Sequence, residues 1–133
     1  MALKQARPLS PHLTIWKWGV HMGVSILNRA MGVGLATIGT LALVWWLMAL
    51  ASGPEAYASF MTCAHGLYGL GYVVAIGLTF AFFLHLCAGL RHFVMDAGAG
   101  FELNNNKLWA WLTIIAAALM TAGTWIIVLG KAL

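Results

Sequence analysis

The stretch Leu108–Gly130, LWAWLTIIAAALMTAGTWIIVLG, decides the fold class. It carries no charged residue, and about 20 mostly apolar residues are enough for a helix to cross the hydrocarbon core of a bilayer. Two further charge-free stretches precede it, Ala30–Pro54 and Ala56–Leu90. The middle stretch is long for one helix and short for two with a loop. Its Gly-rich part, Ala64-His-Gly-Leu-Tyr-Gly-Leu-Gly, reads as the entry to a helix or its frayed outer end. The expected fold is an all-α membrane protein with three transmembrane helices, at about 25–50, 67–95 and 108–129. An N-terminal segment, residues 1–24, precedes them.

The whole composition agrees with this reading. The 133 residues are 62% hydrophobic and 8% charged, and the mean hydropathy is +0.90. Soluble domains carry roughly 25% charged residues, so a water-facing globule is excluded. The apolar content also excludes a disordered chain. A net charge of +4 and a pI of 9.4 suggest nucleic acid at first sight. The basic residues are scattered, however, and form no stripe interleaved with aromatics, so no nucleic-acid partner is expected. Cys63 and Cys87 each lie in an apolar stretch and form no C-x-x-C pair. They read as small buried hydrophobes, not as a disulfide or a zinc site. Residues 1–22 lack an apolar run followed by a small-residue cleavage site, so no signal peptide is expected. The chain shows no internal repeat.

Charge sets the expected orientation. Lys4, Arg7, Lys17, Arg29, Arg91 and Lys107 fall on the side of the N-terminus and the second loop. Lys131 alone falls on the other side, with Glu55. The positive-inside rule then places the N-terminus in the cytoplasm, or in the mitochondrial matrix, and the C-terminus on the outer side. Trp16, Trp18, Trp109 and Trp111 cluster at the inner interface, where indole rings anchor helices.

Few polar groups in the apolar stretches are candidates for chemistry. His85 lies six residues before Arg91, so it sits about 9 Å deeper than the headgroup level. Two readings stand for such a histidine: a functional site, or a hydrogen bond to a neighbouring helix. Its surroundings favour the first. His85, Gly89, His92 and Asp96 fall within a helical sector of about 60°. Gly89 forms a notch beside the imidazole, which suits a flat ligand, and neutral imidazole is an ordinary axial ligand for haem iron. His92 can meet lipid phosphate or a haem carboxylate. Ser25 and Arg29 share a face at i, i+4 and suit an anionic or carbonyl-bearing ligand. Taken alone, Arg29 reads first as a side chain that snorkels to phosphate. His65 is a weaker candidate, and His12 and His21 lie outside the predicted spans. No Asp, Glu or Lys lies within a span, which disfavours an ion-coupled transporter.

Three segments carry a family resemblance. They are Arg7-Pro-Leu-Ser-Pro-His-Leu-Thr-Ile-Trp, Ser25-Ile-Leu-Asn-Arg-Ala-Met-Gly and His85-Leu-Cys-Ala-Gly-Leu-Arg-His-Phe-Val-Met-Asp. With them the chain resembles the cytochrome b556 membrane anchors of succinate dehydrogenase, respiratory complex II, of the alphaproteobacterial and mitochondrial type. The resemblance implies a helix bundle formed with a second small membrane anchor subunit, and docking to an iron–sulfur subunit and a flavoprotein subunit. It implies one haem b shared between the two anchors and ubiquinone as substrate, in a bacterial inner membrane. It makes His85 the axial ligand of the haem iron. Ser25 and Arg29 then line the quinone site, with Arg29 also beside a haem propionate. Asn28 stands where the family pattern has His. It can bond to a propionate but carries no charge, so neutralisation falls on Arg29 and the partner. Met31 replaces Thr or Ser, and Trp16 replaces Tyr. The rival reading is a haem-free structural anchor, which has no need of the His85 and Gly89 face.

Overall fold

The computed structural model describes residues 15–66 and 69–131. All regular structure among them is helical. Helix α1 (Val20–Gly34) passes through a π-helical turn, Leu35–Gly39, into α2 (Thr40–Ala51). Then come α3 (Pro54–Gly66), α4 (Leu70–Asp96) and α5 (Leu103–Gly130). Three helical runs are long and apolar enough to cross a membrane: Val20–Ala51, Leu70–Asp96 and Leu103–Gly130. The first motif segment up to Thr14, with His12, Lys4 and Arg7, lies outside the described residues, as do Leu67 and Tyr68.

The first run is 32 residues long, about 48 Å of helix against a hydrocarbon core of about 30 Å. It begins at Val20, inside the segment that sequence reading left outside the spans. Gly19 enters it in an extended conformation, φ −115° and ψ 149°. Its first turns hold His21, Ser25 and Asn28, which lower the local hydropathy but recur at helical spacing. A membrane helix of this kind is amphipathic near one end, and an apolar-length criterion misses that end. Hydroxyls at the π turn donate back to helix carbonyls. Thr37 Oγ1 donates to the Val33 carbonyl at 2.8 Å, and Thr40 Oγ1 to that of Leu35 at 3.2 Å.

The long middle stretch is two helices, α3 and α4, where one helix with a loose entry was expected. Gly53 turns the chain at φ +102°, a value that favours glycine. Pro54 then occupies the first turn, where its missing N–H costs nothing, and Glu55 suits the positive end of the helix dipole. Phe60 of α3 meets Trp45 of α2 edge-on at 4.7 Å between ring centroids. Helix α3 also abuts α4: a Cβ at Gly71 would overlap the Ala64 carbonyl.

Helices α4 and α5 form the most extensive contact. Small residues allow their close approach. Ala81 and Ala88 are buried on α4, and Ala110, Thr113, Ala117 and Thr121 make a buried stripe on α5. Helix α1 joins them through Val24, which packs with Ala88 and Ala110. A Schellman turn closes α4, with Gly98 N–H donating to Met95 at 2.9 Å and Ala99 N–H to Val94 at 3.2 Å. Gly98 has φ +86° there. The start of α1, the end of α4 and the start of α5 thus meet at one end, which bears Lys17, Arg91 and Lys107.

Candidate functional site

At the basic end, α1 and α4 bring His85 against the α1 backbone. His85 Nδ1 donates to the Asn28 carbonyl at 3.1 Å. A carbonyl only accepts, so the ring proton sits on Nδ1 and the Nε2 lone pair is free. The ring also lies on Gly32, where an added Cβ would come within 2.9 Å of His85 Cε1. The close approach beside the imidazole is therefore at Gly32 on the facing helix. At Gly89 an added Cβ would meet nothing within 4 Å among the described residues, which leave that side of α4 open. His85 is itself exposed, and Asn28 Oδ1 is buried without a hydrogen-bond partner among the described residues.

One turn closer to the aqueous end is a cleft of about 380 Å³. Its lining includes Ser25 and His21 from α1, Arg91 and His92 from α4, and Asn106 from α5. Trp16 and Trp18 also line it, with rings stacked at 5.2 Å. Sequence reading assigned these indoles to interfacial anchoring. Arg29 is exposed and is not among the lining residues. It follows directly on Asn28, whose carbonyl holds His85. The structure thus groups Ser25 with His92 in the cleft and Asn28 with His85 at the imidazole. Asp96 is exposed at the end of α4.

Arg91 has a role that the sequence did not reveal. It is 6% exposed, and its Nη2 donates to Asn106 Oδ1 at 2.6 Å. Asn106 Nδ2 in turn donates to the Gly100 carbonyl at 3.2 Å. The guanidinium therefore ties α4 to α5 and to the loop between them. Arg91 Nε is buried beside the cleft without a partner among the described residues. Nothing in the local pattern separates a buried arginine from one marking the headgroup level. Only the position of Asn106 across the loop does so.

The chain matches the model of the succinate dehydrogenase/fumarate reductase transmembrane subunits over residues 4–124. The chain belongs to that family. It is 32% identical over 120 residues to the succinate dehydrogenase cytochrome b556 subunit of Rickettsia felis, covering 90% of this chain and 91% of that one. To the cytochrome b556 subunit of Paracoccus denitrificans it is 38% identical over 99 residues, 73% and 72% of the two chains. To the mitochondrial cytochrome b560 subunit of Mus musculus it is 32% identical over 121 residues, 88% and 69%. As a member of this family the chain is an all-helical, three-span membrane subunit.

Proposed function

We propose that this chain is a membrane-anchor subunit of a succinate:ubiquinone oxidoreductase in a bacterial inner membrane. It binds haem b together with a second anchor and contributes to the ubiquinone-reduction site. It has no catalytic activity alone and docks an iron–sulfur subunit and a flavoprotein subunit. The N-terminus faces the cytoplasm, as the basic end dictates. The names of the relatives support the assignment to this complex.

The observation that carries the haem assignment is the His85–Asn28 hydrogen bond. A metal-ligating histidine commonly donates its other N–H to a carbonyl, which fixes the ring and raises the basicity of the free nitrogen. His85 has that arrangement, on a helix that the described residues leave open at Gly89. The residues fit the group. His85 Nε2 would hold the iron, with Gly89 leaving room for the ring. Arg29, Asn28 and His92 would meet the carboxylates. Haem b supplies a one-electron reservoir when bound.

Ser25 lines the cleft and would donate a hydrogen bond to a ubiquinone oxygen. Negative charge develops on that oxygen as electrons arrive from the iron–sulfur partner. Preorganised donors and cations stabilise such charge strongly where water is scarce. Arg91 supplies a fixed guanidinium at the cleft wall. Arg29 contributes from the level of His85.

The deciding experiment purifies the complex through this chain and records its dithionite-reduced spectrum. The wild type should show a b-type α-band, with flavoprotein and iron–sulfur subunits co-purifying. His85→Leu should lose the band or turn high-spin while those subunits remain. An unchanged low-spin spectrum in His85→Leu would remove His85 as ligand. A wild type without any b-type band would favour the haem-free anchor.

A further inference from the structure

His21 has no part in the roles above. It lies in the first turn of α1 and shares the helical stripe of Ser25, one turn further in, and Asn28, two turns further in. Its ring lines the same cleft as Ser25, Arg91 and His92. The edge bearing Nδ1 is packed against Gly19, where an added Cβ would lie 2.8 Å from Nδ1. Among the described residues, Nδ1 is buried without a hydrogen-bond partner.

Nδ1 is thus closed off on the packed side, and Nε2 is the nitrogen left to meet a molecule in the cleft. With its proton on Nε2 the neutral ring presents a donor there. The result is a rigid donor on the aqueous side of Ser25, held by helix and glycine backbone rather than by a flexible loop.

We propose that His21 Nε2–H is a second hydrogen-bond donor to the ubiquinone head group, acting with the Ser25 hydroxyl. The inference rests on the quinone-site reading above and adds a substrate-contacting residue to it. His21 thereby selects a ligand with a carbonyl acceptor near the mouth of the cleft, and a quinone head group presents one. The stacked Trp16 and Trp18 rings form the adjoining apolar wall against which a flat ring lies.

Asn and Gln separate this role from a structural one, because Gln reaches the position of Nε2 and Asn that of Nδ1. The assay measures succinate:ubiquinone activity and succinate oxidation with a soluble artificial acceptor, on the same membranes at equal subunit content. His21→Leu and His21→Asn should raise the KM for a short-chain ubiquinone about fivefold, which corresponds to one net hydrogen bond of about 1 kcal/mol. His21→Gln should stay within about twofold of wild type, and the artificial-acceptor rate should not change. A wild-type KM in His21→Leu overturns the proposal, as does equal impairment in the Leu and Gln variants. Ser25→Ala runs in parallel. If it impairs ubiquinone reduction while His21→Leu does not, only the role of His21 falls. If both are silent, the quinone site in this cleft falls with it.

Discussion

Two glycines bear on His85, one against its ring and one a turn along its own helix, and they make different demands. Gly32 on α1 touches the ring from within the chain, whereas Gly89 on α4 faces open space. Gly32→Ala places a methyl 2.9 Å from Cε1 of a ring tied down by the Asn28 carbonyl. The ring must tilt, so the Nδ1 bond weakens and the free nitrogen is misdirected. Reduced spectra of Gly32→Ala should show a broadened or shifted α-band at normal haem content. Gly89→Leu adds bulk that nothing among the described residues opposes. It should leave subunit content unchanged and lower haem occupancy, measured as haem per flavin. Wild-type occupancy in Gly89→Leu would count against a ligand packed on that face. The sequence made His85 legible through its depth and the residues on its own helix. Gly32 was not legible as its neighbour, because 53 positions separate the two and only tertiary packing joins them.

At the scale of elements, apolar length gave the number of spans but not their ends. His21 dropped out of view because polar residues at the start of α1 mark a helix only by their spacing. Helix α3 was hidden for the opposite reason: its residues from Ala56 on are uncharged and merge with those of α4. The breaks at Gly53 and Gly69 were visible only as glycines. The α4–α5 junction was equally silent, yet one side-chain chain holds it: Arg91 to Asn106 to the Gly100 carbonyl. Asn106→Leu removes both links and leaves a buried guanidinium without its acceptor. An unsatisfied buried polar group costs about 1–3 kcal/mol, and a charged one more. The detergent-solubilised complex should therefore lose thermal stability in Asn106→Leu by a margin well outside error. Asn106→Asp keeps an acceptor for Arg91 and should lose less. Equal losses in the two variants would show that the Gly100 link, not the arginine, matters at this junction.

The whole chain is built to be completed by others. Leu41, Ile126, Val33, Leu119 and Phe93 are each more than 60% exposed, on helices whose buried positions are mostly Ala and Thr. Such a surface needs lipid or further helices around it. The ligand count makes the same demand more sharply. Low-spin haem with two histidines needs one on each face of the ring. Helix α5 contains no histidine, and His65 sits on α3 at the end of the bundle opposite the basic one. It is already engaged, sharing a hydrogen bond of 2.9 Å with the Tyr72 hydroxyl. His92 lies seven residues from His85 on the same helix, so both approach a ligand from one side. Among the described residues, helices α3 to α5 therefore offer a single ligand to the haem proposed on the Gly89 face. Expressed alone in detergent and supplied with haem, the chain should give a five-coordinate, high-spin spectrum. Added imidazole should convert it to low spin by filling the vacant axial position. Co-expression with the second anchor should give the low-spin spectrum directly and abolish the response to imidazole. A low-spin spectrum from the isolated chain, lost in His92→Leu, would show that two histidines of α4 can reach the iron and would remove the need for a ligand from the partner.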